Sequence, residues 1–79
     1  MEEQEYKKGQ KVRFVRKPLN ESFLPHYDLS LEYIEKGKLY TVEHYFYGNP
    51  AQVELKGIDS MLFIAEMFDL VEWLWKRLH

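Results

Sequence analysis

Apolar and polar residues alternate along several short stretches of the chain, a pattern typical of strands that bury one face. Turn-forming segments that contain glycine, proline, asparagine or aspartate separate these stretches. The predicted strands span residues 11–16, 39–47, 52–56, 61–65 and 69–72, with turns at 36–38, 48–51 and 57–60. Short strands at this spacing predict a small antiparallel barrel or sandwich.

The stretch from Leu39 to Tyr47 gives the clearest strand signal because it is largely β-branched and aromatic. Alternation puts Tyr40, Val42, His44 and Phe46 on one face, and Leu39, Thr41, Glu43, Tyr45 and Tyr47 on the other, wetter face. The residues expected inside the barrel are Val12, Phe14, Tyr40, Val42, Val53, Leu55, Phe63 and Phe68. Gly37 is expected to adopt a positive φ in the turn before this strand.

Three segments do not follow the strand pattern. Residues 17–30 contain two prolines and are predicted to form a long irregular loop, the most mobile internal segment. Residues 65–68 resemble a single helical turn. Residues 73–79 continue a helical spacing from Val71 and predict a short C-terminal helix that packs on the barrel or on a partner. The domain organisation is therefore an N-terminal tail (1–8), a barrel (9–72) and a short helix (73–79).

The amino-acid composition indicates that this short chain is stabilised by packing rather than by disulfides. The 79 residues include no cysteine, which excludes disulfides and thiolate zinc sites and fits a reducing, cytoplasmic location. Six Tyr, five Phe and two Trp supply large apolar surfaces for a small core. The acidic start, Met-Glu-Glu-Gln-Glu, differs from a signal peptide, and no apolar run is long enough to span a membrane.

Charge is distributed unevenly, although the formal net charge is only −2. Residues 1–17 hold six basic and three acidic side chains, so the remaining residues hold five basic and ten acidic ones. A small barrel that binds nucleic acid needs a basic face with aromatic residues. The candidate residues for this function are Lys11, Arg13, Arg16 and Lys17, with Tyr6, Tyr45 and Tyr47 as the aromatic neighbours. A sequence pI of about 5.9 argues against it.

Two phrases of the sequence resemble a known family. Residues 37–42 read Gly-Lys-Leu-Tyr-Thr-Val, and residues 63–71 read Phe-Ile-Ala-Glu-Met-Phe-Asp-Leu-Val. With a first strand, a long loop and a hairpin, these phrases resemble small, uncharacterised SH3-like barrel proteins of bacteria and phages over residues 9–72. The resemblance implies a mostly β fold, a small five-stranded SH3-like antiparallel barrel, and an origin in a phage or mobile element. It implies no particular activity.

The sequence offers no recognisable catalytic or metal-binding arrangement. His26, His44 and His79 are far apart and lack the spacing of metal ligands. The serines do not stand in a nucleophile-elbow phrase, and the four glycines are isolated rather than grouped in a phosphate-binding loop. We therefore expect no enzyme activity, no catalytic residue, no metal and no cofactor.

Protein interaction is the favoured function. Tyr45, Phe46 and Tyr47 are consecutive in a predicted strand, so at least one of them faces away from the core. Exposed Tyr and Trp side chains are typical of binding hot spots, although a thin core would also recruit them. The candidate protein-binding residues are Tyr45, Tyr47, Trp73, Trp75, Phe23 and Tyr27. The partner is an unknown protein rather than a membrane, and we expect a monomer rather than a homodimer.

Overall fold

The structure, a computed structural model, describes residues 5–71 of the chain. This region is mostly β, with five antiparallel strands and one short α-helix. The strands are β1 (Lys11–Phe14), β2 (Leu39–Phe46), β3 (Gln52–Leu55), β4 (Ile58–Ile64) and β5 (Phe68–Leu70), and the helix is α1 (Leu24–Ser30). The helix predicted at 73–79, with Trp73 and Trp75, lies outside the described residues.

The strands form one sheet in the order β4-β3-β2-β1-β5. Because β4 and β5 are opposite edges, a flat sheet would hold them about 19 Å apart, at about 4.8 Å per spacing. Instead, the ring centroids of Phe63 on β4 and Phe68 on β5 are 6.4 Å apart. The sheet is therefore strongly curved, with the core on its concave side, but it is not closed by hydrogen bonds between β4 and β5.

The core confirms most of the predicted inward positions. Among the eight residues expected inside, seven are buried and Tyr40 is half-buried against the core. The core also holds hydrophobic residues that alternation did not identify: Tyr6, Tyr27, Ile34, Ile64, Ala65 and Met67. Each large side chain buried in this way contributes roughly 1.5–3 kcal/mol to stability.

The segment expected to be an irregular loop instead contains helical structure. A 3₁₀ helix spans Glu21–Phe23, and α1 follows it directly. The side chain of Asn20 accepts a hydrogen bond from the backbone N–H of Ser22, which satisfies a donor at the start of the 3₁₀ helix. Pro25 lies in the first turn of α1, where its missing N–H costs little. The prediction of an irregular loop is wrong, because residues 21–30 are helical. The mobility expected for residues 17–30 stays a prediction.

A β-bulge changes the inward face of β2 partway along the strand. Val42 pairs with Leu55, but His44 pairs with Glu54, so Glu43 is an extra residue. Beyond the bulge, Tyr45 turns toward the core, while Phe46 faces outward and is 45 % exposed. The prediction that His44 and Phe46 share the inner face with Val42 is therefore wrong, because strict alternation ends at the bulge.

Smaller differences concern the ends of elements. The helical turn before β5 is a 3₁₀ helix at Ala65–Met67, and Phe68 belongs to the strand. The β3–β4 turn is shorter than expected, since β4 already begins at Ile58. No helix within residues 5–71 has the length and apolar composition needed to cross a bilayer.

Candidate protein-interaction surface

Three consecutive aromatic residues lie at the end of β2, and we call them the aromatic corner (Tyr45, Phe46 and Tyr47). Phe46 is 45 % exposed and Tyr47 is 74 % exposed. The rings of Tyr45 and Tyr47 meet edge to face, with centroids 5.1 Å apart and planes at 90°. The corner thus presents two aromatic side chains to solvent, Phe46 as the last residue of β2 and Tyr47 directly after it.

Tyr45 connects the aromatic corner to the core. Its ring packs against the hydrophobic core and lies edge to face with the buried ring of Tyr6, at a centroid distance of 6.0 Å. Because Tyr45 is fixed on one side by Tyr6, it gives the exposed Tyr47 ring an ordered surface to pack on. A partner that binds Tyr47 would therefore meet a preorganised side chain, which lowers the entropic cost of binding.

The outward face behind the corner is mixed in polarity. His44 lies beside Phe46, with ring centroids 6.0 Å apart, and pairs across the strands with Glu54. Glu43, at the bulge, lies 3.5 Å from the ammonium of the exposed Lys8. An open depression of about 410 Å³ on this face is lined by Glu43, His44, Glu54, Leu55, Lys56, Gly57 and Asp59. Polar groups thus border an apolar projection, as in many interfaces with an apolar centre and a polar rim.

The structure does not bring all the predicted protein-binding residues together. Tyr27 is only 6 % exposed; its ring packs edge to face on Phe14, with Lys36 5.9 Å from its centre on another side. Phe23 is half-buried and packs against the same core. These two residues therefore stabilise α1 and its approach to the sheet, whereas Tyr45 and Tyr47 lie together at the end of β2.

The basic first strand is divided between exposed and structural side chains. Lys11 and Arg13 are exposed, and the Lys11 ammonium donates to the Thr41 hydroxyl at 2.6 Å. Lys17 is also exposed. In contrast, Arg16 pairs with Asp69 and donates to the backbone carbonyl of Glu66 at 2.6 Å. Arg16 therefore holds the turn before β5, and the basic surface is left to Lys11, Arg13 and Lys17.

A second exposed apolar group was not identified as a site by the sequence. Leu29, Leu31 and Tyr33, at the end of α1 and just after it, are each between 45 % and 47 % exposed. Only Ile34 from this apolar stretch is buried. The sequence shows the apolar residues but not which of them face solvent, because that depends on how α1 packs on β4.

Neither the side chains of the described residues nor known proteins indicate a metal site or a family. Within residues 5–71, no group of three or more histidine or carboxylate side chains is arranged to hold a metal ion. Comparisons with protein-family models, with curated protein sequences and with solved structures found no match.

Proposed function

We propose that this protein is a non-catalytic protein-interaction module that binds its partner through the aromatic corner. The observation that carries the proposal is the contrast between two neighbouring tyrosines: Tyr45 packs on the core, and Tyr47 is 74 % exposed against it. Leaving large aromatic surface in water is unfavourable, and contact with a partner removes this cost.

We infer that the curved sheet is an SH3-like barrel of the kind carried by bacteria and their phages. The order of the elements supports this: a first strand, a long connection, a hairpin and a short turn before the last strand. The Phe63–Phe68 contact between opposite edge strands supports the same curvature.

The function is tested by comparing capture of a partner by the full chain and by a corner variant. Phe46→Ser with Tyr47→Ser removes both exposed rings and leaves Tyr45 in the core. A matched control, Leu19→Ser, removes a side chain that is 84 % exposed and belongs to another part of the surface. We expect a protein captured from lysate by the wild type to be lost with the corner variant and retained with Leu19→Ser.

The captured protein is then purified and its affinity measured by calorimetry. Loss of a hot-spot aromatic side chain reduces affinity by about 2 kcal/mol or more, which is about 30-fold. Equal affinity for the wild type and the corner variant would reject the aromatic corner as the binding site. Circular dichroism of each variant verifies that the fold is intact.

A second candidate function, nucleic-acid binding, is supported by the exposed Lys11 and Arg13 on β1. Phosphate contacts make binding weaken steeply with salt. If this candidate is right, Lys11→Glu with Arg13→Glu abolishes a gel shift of single-stranded or duplex oligonucleotides at low salt. The engagement of Arg16 by Asp69 and Glu66 reduces the available basic surface, so we place this function second.

A further inference from the structure

The long connection between β1 and β2 has a buried side and an exposed apolar side. Tyr27, Ser30 and Ile34 are buried, which fixes α1 and the following turn against the body of the protein. On the other side, three apolar residues and three carboxylates are interspersed in the sequence. This surface, which we call the acidic–apolar strip, consists of Asp28, Leu29, Leu31, Glu32, Tyr33 and Glu35, all exposed.

The strip carries negative charge because the basic residues of the connection between β1 and β2 lie only near its ends, at Arg16, Lys17, Lys36 and Lys38. Between Lys17 and Lys36 there are four carboxylates and no lysine or arginine. Lys38 lies 3.5 Å from the Glu35 carboxylate, and the Lys36 ammonium lies 5.9 Å from the centre of the Tyr27 ring, so neither of these contacts involves Leu31 or Glu32. Its remaining length, with Leu31 and Glu32, suits an occupant that is both apolar and basic.

Tyr33 extends the strip toward the β3–β4 turn. Its ring is 47 % exposed and lines an open depression of about 530 Å³ together with Gly57, Ile58, Asp59 and Ser60. Bulky aromatic side chains fit a shallow surface of this kind by covering apolar area. The neighbouring Asp59 carboxylate adds to the negative charge that a basic occupant would meet.

The chain itself contains a segment of matching chemistry. Residues 73–79, outside the described part of the structure, read Trp-Leu-Trp-Lys-Arg-Leu-His. This segment carries four large apolar side chains and two permanent positive charges with no carboxylate side chain. Both tryptophans of the protein belong to it. Its composition is therefore complementary to the strip in charge and in apolar character.

The strip is within reach of this segment. Leu70, near the end of the described chain, pairs with Val12, and Val12 pairs with Tyr40. The Tyr40 hydroxyl accepts a hydrogen bond from the backbone N–H of Glu35 at 2.7 Å, so Tyr40 contacts one end of the strip. Two strand spacings are about 10 Å, to which the length of the Tyr40 side chain is added. Because β5 is antiparallel to β1, the chain leaves Leu70 toward Lys11, whereas Gly37 hydrogen-bonds to Phe14 at the other end of β1, so the segment must turn back to reach the strip. Residues 71–79 span up to about 30 Å when extended, which is long enough for their second half to reach Glu35 and the strip beside it.

We propose that residues 73–79 bind the acidic–apolar strip of the same molecule. Trp75 and Leu78 cover Leu31 and Tyr33, and Lys76 and Arg77 face Asp28 and Glu32. Tethering favours this arrangement because a short connection gives the segment an effective concentration in the millimolar range. The contact links the end of β5 to the connection between β1 and β2, and it covers the second exposed apolar surface of the fold.

Tryptophan fluorescence tests the proposal because residues 5–71 contain no tryptophan. We expect the full chain to emit at shorter wavelength than a free synthetic peptide of residues 71–79. Leu31→Ser with Tyr33→Ser should shift the emission toward that of the peptide. Asp28→Lys with Glu32→Lys should do the same, whereas the matched charge change Glu54→Lys, on β3, should leave it unchanged. Full-chain emission equal to that of the peptide, or strip variants without a shift, would overturn the proposal.

A cross-linking experiment does not depend on weakening the contact. Since the chain has no cysteine, Leu31→Cys with Leu78→Cys introduces one possible disulfide. We expect oxidation to give a cross-linked monomer, and Tyr47→Cys with Leu78→Cys to give much less of it. Equal cross-linking of the two pairs, exclusively dimeric products, or an emission wavelength that depends on protein concentration would overturn the intramolecular assignment.

Discussion

The hydroxyl of Tyr6 donates a hydrogen bond of 2.7 Å to the backbone carbonyl of Phe68, which is 62 positions away in the sequence. The same hydroxyl lies 3.3 Å from the carbonyl of Ala65, and the Tyr6 ring is only 3 % exposed. Tyr6 thus ties the segment before β1 to the turn that leads into β5. It also supports the aromatic corner through its contact with Tyr45.

Tyr6→Phe should destabilise the protein by about 1–2 kcal/mol, because it removes a buried hydroxyl donor while keeping the ring. The free energy of unfolding in urea is the measurement. Tyr47→Phe is the matched control, since its hydroxyl belongs to an exposed side chain, and it should change stability by less than about 0.5 kcal/mol. Similar losses for the two variants would contradict a structural role for the Tyr6 hydroxyl.

Stability should fall in strongly alkaline solution through Tyr6. Burial raises the pKa of the Tyr6 hydroxyl well above its ordinary value of 10.0, and the nearby Asp69 charge adds to the effect. Above about pH 10 the unfolded chain loses this proton while the folded protein keeps it. The stabilisation is therefore fully present below pH 10 and is lost as pH rises toward the folded pKa, by up to about 1.4 kcal/mol per pH unit.

Comparison with Tyr6→Phe isolates this contribution, because the other tyrosines and the lysines titrate in both proteins. Urea unfolding measured at intervals between pH 9 and pH 11 should give a steeper decline for the wild type. Parallel curves would contradict the assignment to Tyr6.

Arg16 should contribute more to stability than its neighbour on the same segment, Arg13. The Arg16 guanidinium pairs with Asp69 and donates to the carbonyls of Glu66 and Phe68, whereas Arg13 is an exposed side chain of β1. Because Arg16 remains partly exposed, Arg16→Ala should cost about 1 kcal/mol. Arg13→Ala should cost less than about 0.5 kcal/mol. Equal effects in thermal and urea unfolding would show that the Arg16 contacts add no stability.

Because of the bulge in β2, alanine substitution should destabilise the protein more at Tyr45 than at the adjacent Phe46. Tyr45→Ala removes a ring that packs on the core and on Tyr6, so it should destabilise by about 2 kcal/mol. Phe46→Ala removes an outward ring and should cost less than about 1 kcal/mol. The free energies of unfolding of the two variants decide this, and a larger loss for Phe46→Ala would mean that β2 alternates without a bulge.

The local sequence was sufficient for the strands and for the inward residues near their centres. Val12 and Phe14 on β1, and Val53 and Leu55 on β3, are separated by one charged or polar residue each, and all four are buried. Gly37 takes a φ of 91°, as expected from its place in the predicted turn at residues 36–38. These features follow from the period of two along a strand and from the conformational freedom of glycine, which neighbouring residues already determine.

Tertiary structure decided the features that depend on distant contacts. Glu43 becomes a bulge because β2 must pair with β1 at one end and with β3 at the other, and no local pattern marks that change. Tyr6 is buried because β5 and the turn before it provide a cavity and two carbonyl acceptors. Alternation alone therefore locates the aromatic corner in the chain, but only strand pairing determines that Tyr45 faces inward while Phe46 and Tyr47 remain exposed.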